Sequence, residues 1–169
     1  MIRILLTAAV LTLAACGNSR SVMDGMETET PPASIPGLGA EVNEQAQTLP
    51  SGLELQFTRR GANQALSQPT MDATVLVHYE GSLVEGGEVF DSSFARGEPV
   101  DFPLRAVVRG FSEAITHMRP GDEVIATFPG SLGYGPSGSG PIPPNAALRF
   151  RIALLAFQEP GGQPVTAPQ

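Results

Sequence analysis

Residues 75–91 read VLVHYEGSLVEGGEVFD. Val75, Val77 and Tyr79 alternate with Leu76, His78 and Glu80 at the two-residue period of a strand. Glu85-Gly86-Gly87-Glu88 then supplies turn chemistry, and Val89-Phe90 opens a second apolar run, so the stretch predicts strand, turn and strand. Further out, Leu53, Leu55 and Phe57 alternate with Glu54, Gln56 and Thr58 like a half-buried strand. Residues 123–128 and 148–157 are two more strand candidates, the latter with Leu148, Phe150, Ile152 and Leu154 on one face.

Convincing helical spacing occurs once: Phe111, Ala114, Ile115 and Met118 fall at i, i+3, i+4 and i+7, between Gly110 and Pro120-Gly121. A helix of about two turns is marginal alone in water, so its apolar stripe must lie on the strands. Antiparallel strands with one short helix across a face define an α+β class. Alternating βαβ units are missing, which argues against a doubly wound nucleotide fold.

The chain has 169 residues, enough for one domain at the usual ~100–200. Ten basic residues, all Arg, stand against 17 acidic ones, a net charge of −7. A nucleic-acid partner needs a basic face, so none is expected. The 19 Gly and 16 Pro make the chain rich in loops. One Cys excludes an intramolecular disulfide and a multi-Cys metal cluster.

That cysteine closes an N-terminal address. Arg3 precedes an uncharged run from Ile4 to Ala15, too short for a bilayer core that needs ~20 residues but suited to a signal peptide, residues 1–15. The run ends Leu13-Ala14-Ala15-Cys16, similar to a bacterial lipobox, a resemblance that implies Cys16 as the lipidated first residue of a mature lipoprotein; the alternative is an ordinary secretory signal with a leftover Cys. More than one acyl chain anchors stably where a single chain does not. Residues 16–48 hold Pro31-Pro32, Pro36-Gly37 and five acidic residues against one Arg, and no apolar period. They are expected to form a disordered leash, with a reach on the order of 30 Å. A folded domain is expected over 49–158 and a disordered tail over 159–169.

Two motif matches lack their context. Gly133, Gly135 and Gly138 satisfy G-x-G-x-x-G, but Pro141, Pro143 and Pro144 follow where a phosphate-binding helix must open. His78 and His117 sit on different elements without further ligands at motif spacing, so no metal and no cofactor are expected. His78 is assigned to a strand and His117 to a helix surface. The aromatic set Tyr79, Phe90, Phe102, Phe111, Tyr134 and Phe150, spread along the folded part, is more informative; its bland reading is core packing.

Three blocks carry a resemblance. VHYEGSLVEGGEVFDSSFARGEPVDF (77–102), VVRGFSEAITHMRPGDEV (107–124) and YGPSGSGPIPPNAALRFRIALL (134–155) are similar, in order, to the FKBP-type peptidyl-prolyl cis-trans isomerases. The resemblance covers about Pro50 to Phe157. It implies a curved antiparallel sheet wrapped over one short helix, with a pocket between them. Carried over position by position, Tyr79, Phe90 and Asp91 form one wall and its carboxylate, and Val100 is a smaller wall residue. Val107 and Val108 border the pocket, with the Val108 N–H meeting a substrate carbonyl. Phe111 is the floor where Trp is usual, Tyr134 presents its hydroxyl, and Ile142 and Phe150 close the far side. Asp91 is read as a hydrogen-bond acceptor from Tyr79 or Arg96 rather than a proton carrier.

The sequence departs from the family between Phe102 and Val107, two residues shorter, and in the loop from Gly135 to Ile142, one residue shorter and without aromatic or His. The expected partners are proline-containing polypeptides, macrolide inhibitors and, through Cys16, a lipid membrane. Without a long helical arm before the domain, a monomer is expected. Asn18, rather than an acidic residue, near Cys16 suggests an outer membrane facing a periplasm. The competing reading is a noncatalytic module or holdase that grips proline-containing chains in the same groove.

Overall fold

In the computed structural model, residues 35–168 are described. Among them the strands, in chain order, are β1 (Ala40–Glu41), β2 (Gln47–Thr48), β3 (Glu54–Arg60), β4 (Thr74–Leu83), β5 (Val89–Ser92), β6 (Val100–Pro103), β7 (Glu123–Phe128), β8 (Leu148–Gln158) and β9 (Val165–Thr166). Helix α1 (Ser93–Arg96) is a single turn and α2 (Arg109–Thr116) is the principal helix. The strands form one sheet in the order β1-β3-β7-β8-β4-β5, with β2 also on β3, β6 on β4 and β9 on β8. Every pairing is antiparallel.

The alternation in the sequence sets the two faces. Leu53, Leu55 and Phe57 of the β3 region, Val75, Val77 and Tyr79 of β4, and Leu148, Phe150, Ile152 and Leu154 of β8 are buried, and all join one core. Register shifts at Phe57/Arg59, Leu76/Val77 and Gly81/Ser82 break the ladders, and such bulges bend and twist a strand. Between β4 and β5, Gly86 and Gly87 both take positive φ, +80° and +70°. Only glycine enters that region freely. The turn lets the Leu83 N–H donate to the Glu88 carbonyl at 2.9 Å.

Helix α2 lies across the core face, as its stripe requires: Phe111, Ala114, Ile115 and Met118 are all buried. Burying a side chain such as Ile115 is worth about 1.5–3 kcal/mol. Gly110 permits the approach, because a Cβ there would meet the Phe128 ring at 2.4 Å. The Ser112 hydroxyl donates to the Leu104 carbonyl at 2.7 Å, tying the helix to the segment that leads into it.

The folded part is longer than the sequence suggests. The leash expected over 16–48 is corrected over its last third: β1 pairs with Arg59 and Arg60, β2 pairs with Glu54 and Leu55, and the Gly39 N–H donates to the Gly121 carbonyl at 2.9 Å. The tail expected over 159–169 also folds back, with Val165–Thr166 pairing with Ala156 and Phe157. Strands two residues long present no period, so register with a neighbour is all that defines them. The signal segment 1–15, Cys16 and the rest of the leash lie outside the described residues.

His78 is on β4 as expected but buried, because α1 covers the outer face there: its ring stacks on Phe94 with centroids 5.2 Å apart, and its Nδ1 lies 3.2 Å from the Ser93 hydroxyl. His117 ends α2 and is exposed.

Candidate functional site

At the N-terminal end of α2 the core opens into a cavity of about 330 Å3. Its floor is Phe111, the third residue of the helix, held edge-on to three rings: Phe150 at 5.3 Å, Tyr79 at 6.0 Å and Phe102 at 6.0 Å. Such edge-to-face pairs add about 0.5–1.5 kcal/mol each beyond burial and fix ring orientation. Strand β4 contributes Tyr79, and β8 contributes Phe150, which stacks on Phe128 and meets Phe90 of β5 edge-on at 5.7 Å. Gly81 makes this possible, since a Cβ there would lie 2.6 Å from Phe90 and 2.7 Å from Phe150. Two aromatic rings therefore cross the strand at the one position without a side chain.

One carboxylate borders this apolar space. Asp91 accepts from the Tyr79 hydroxyl on one oxygen and from the Arg96 guanidinium on the other. Arg96 closes the triangle by donating to the Tyr79 oxygen at 3.2 Å. Strand β5 presents Asp91, and the turn of α1, capped by the Ser92 hydroxyl, brings Arg96 back over it. Burial pushes the Asp91 carboxyl up, but the two donors and the adjacent positive charge outweigh it, and the group is held below the usual carboxylate range. Burial, together with the bond to Asp91, pushes the Tyr79 hydroxyl above its ordinary value and keeps it a donor. Asp91 is thus an ionised acceptor with both oxygens occupied, poorly placed to carry a proton.

The remaining wall carries two unpartnered polar groups. Val107 and Val108 line the cavity just before α2, and the Val108 N–H meets no acceptor among the described residues. Tyr134 is 38% exposed at the rim, and its hydroxyl makes no hydrogen bond among them. Both groups are free to bond a ligand's backbone.

Of the residues singled out by sequence, Tyr79, Phe90, Asp91, Val107, Val108, Phe111, Tyr134 and Phe150 converge on the cavity. Ile142 does not line it: a tight turn, in which Ser139 and Ile142 exchange backbone hydrogen bonds of 2.8 and 3.0 Å, turns this side chain into the core. Val100 also falls short, lying opposite Val77 and packing against the core away from the opening. Phe102 and Ala106 line the cavity instead. Phe102, one of the aromatic set singled out in the sequence, shares the inward face of β6 with Val100, two residues on. Ala106 carried no signal in its own side chain.

A curved antiparallel sheet over one helix, with an aromatic pocket at the helix's start and a clamped carboxylate on its wall, sets the class of fold and site. A profile of the FKBP-type peptidyl-prolyl cis-trans isomerases matches residues 66–155. The chain is 41% identical over 114 residues to the peptidyl-prolyl cis-trans isomerase Mip of Coxiella burnetii, covering 67% of this chain and 48% of that one. The crystal structure of FkpA from Escherichia coli is similar at a TM-score of 0.61 and 33% identity, over 73% of this chain and 53% of that one. The N-terminal domain of FKBP42 from Arabidopsis thaliana shares the fold, at a TM-score of 0.62 and 20% identity, over 73% of this chain and 99% of that one. This chain belongs to the FKBP-type peptidyl-prolyl cis-trans isomerase family. It spans about half the length of the curated relatives it matches.

Proposed function

We propose that the domain catalyses rotation about Xaa-Pro bonds in unfolded or exported polypeptides, while an acylated Cys16 tethers it to a membrane, the outer one where the cell has two. The observation that carries the reading is the ring-lined cavity beside two unpartnered backbone-binding groups. Rotation breaks no covalent bond; it twists a C–N bond with a barrier of ~18–20 kcal/mol between isomers within about 1 kcal/mol of each other. A catalyst needs no nucleophile, only preference for the twisted amide over both planar ones.

Each part of the site has a place in that task. Phe111, Phe102, Tyr79 and Phe150 surround the pyrrolidine ring and exclude water from the amide, and a twisted amide loses less by that exclusion because its carbonyl is less polar. The Val108 N–H and Tyr134 hydroxyl hold the flanking chain bent. Asp91, fixed by Tyr79 and Arg96, keeps the wall in place. Macrolides that mimic a prolyl turn would compete for the same space.

The test is an Xaa-Pro exchange assay with the full chain and with a chain beginning at Gly17. Acceleration that is lost in Phe90→Ala and Tyr134→Ala supports an enzyme. Peptide binding without acceleration establishes the holdase reading, which Phe111 in the place of the family's usual Trp favours. Membrane association that persists in Cys16→Ser removes the tether from the proposal.

A further inference from the structure

A separate cavity of about 430 Å3 opens between the end of β4 and the loop leading into β8, lined in part by Leu83, Val84, Glu85, Pro143, Asn145 and Ala146. Both walls are held by backbone bonds. The Val84 N–H donates to the Ala147 carbonyl at 3.0 Å, and the Ala146 N–H donates to the Pro143 carbonyl at 3.3 Å. The groove is therefore preformed, yet its apolar rim is open, with Val84 43% exposed.

Its polar groups are uncommitted. The Asn145 side-chain amide makes no hydrogen bond among the described residues, and neither Glu85 nor the neighbouring Glu88 enters an ion pair there. An aliphatic trough with one free amide and a carboxylate edge suits an extended peptide with an apolar side chain beside a cationic one. The groove also adjoins the ring-lined cavity. The Asn145 N–H donates at 2.8 Å to the carbonyl of Gly135, the residue after Tyr134, and Phe90 of the pocket follows Val89 on β5. The loop between β7 and β8, which carries Tyr134 as well as Pro143, Asn145 and Ala146, thus borders both cavities.

We propose that this groove is an accessory subsite for the client polypeptide, holding an apolar side chain flanked by Lys or Arg a few residues from the proline in the same chain. The proposal rests on the proline-binding reading of the first pocket. The groove makes the domain favour long unfolded chains over short prolyl peptides, because only a chain with both features engages both cavities.

The test compares a short prolyl peptide with versions extended, on either side, by a Leu-Arg pair after spacers of about two, four or six residues, each residue adding roughly 3.3 Å of reach. With the full chain, the best extended peptide is expected to lower KM about fivefold, the surplus left when burying one aliphatic side chain is set against immobilising it. Val84→Glu and Glu85→Arg should each abolish that gain while leaving the short peptide's kinetics unchanged. Equal KM for all peptides, or a gain that survives both substitutions, overturns the proposal. If no peptide is isomerised, the reading of the first pocket fails by itself, and the Val84 and Ala146 amide resonances decide the groove. Shifts on adding the extended peptide but not the short one support it; no shift overturns it. A concentration-dependent dimer lost in Val84→Glu would assign the groove to a second copy and also overturn the proposal.

Discussion

At the scale of single residues, the site turns on how Tyr79, Asp91 and Arg96 share three contacts. Tyr79→Phe keeps the ring against Phe102 and Phe111 but removes a donor from Asp91. Asp91 is partly exposed, so screening limits the stability loss to about 1 kcal/mol, while kcat/KM toward a prolyl peptide should fall roughly threefold to tenfold. Because the Asp91 carboxyl is held low, its contribution to stability is complete above the ordinary carboxylate range and is lost as pH falls through the folded value. Activity should therefore be flat across neutral pH, and a bell-shaped profile removed by Asp91→Asn would restore a proton-transfer role. Burial lowers the His78 pKa below the ordinary 6.5, with Ser93 at its Nδ1 only partly opposing, and the Arg151 guanidinium lies 4.4 Å over Phe94, on which the imidazole stacks. The folded state thus takes up its proton less readily than the unfolded chain, so stability is full above 6.5 and declines as pH falls from there toward the folded value. Urea unfolding at neutral and mildly acidic pH should show that slope, and His78→Gln should flatten it.

At the scale of elements, what the sequence disclosed was what repeats. The strands β3, β4, β7 and β8 and the helix α2 each run long enough for alternation or helical spacing to name their inward residues. Val75, Val77 and Tyr79 lie where that alternation put them. Site residues fixed by an element's period, such as Phe111 and Phe150, were therefore readable. Ile142 sits in a loop and Ala106 ends a single 3-10 turn, where a side chain's direction follows the local turn and not a long period; even a resemblance in the surrounding block misplaced Ile142. The crossing of Phe90 and Phe150 over β4 was equally invisible, since only coordinates show that Gly81 is the space both rings use. Gly81→Ala should overpack this point by about 1–3 kcal/mol in chemical denaturation. Both displaced rings line the cavity, so the variant should lose affinity for a prolyl peptide more than tenfold even at temperatures where it remains fully folded.

At the scale of the whole molecule, the ordered domain begins well before its first periodic strand. Residues 35–39 reach the sheet beside Gly121, past the C-terminal end of α2, whereas the cavity opens at the helix's N-terminal end, about 12 Å away at 1.5 Å per residue. The described chain thus starts beside the C-terminal end of α2, away from the opening. A chain beginning at Ile35 keeps every described contact and serves as the reference for Tm. Removing residues 1–48 strips β1 and β2, the Gly39–Gly121 hydrogen bond and the paired 2.8 and 2.9 Å contacts of Arg60 with Glu44, and it uncovers apolar surface under Val42. A loss of about 2 kcal/mol is expected, roughly 8–12 °C in Tm for a domain near 100 residues. Calorimetry of the two truncations checks this. Equal melting would mean that the edge strands add length without stability, and that the fold ends where strand alternation begins.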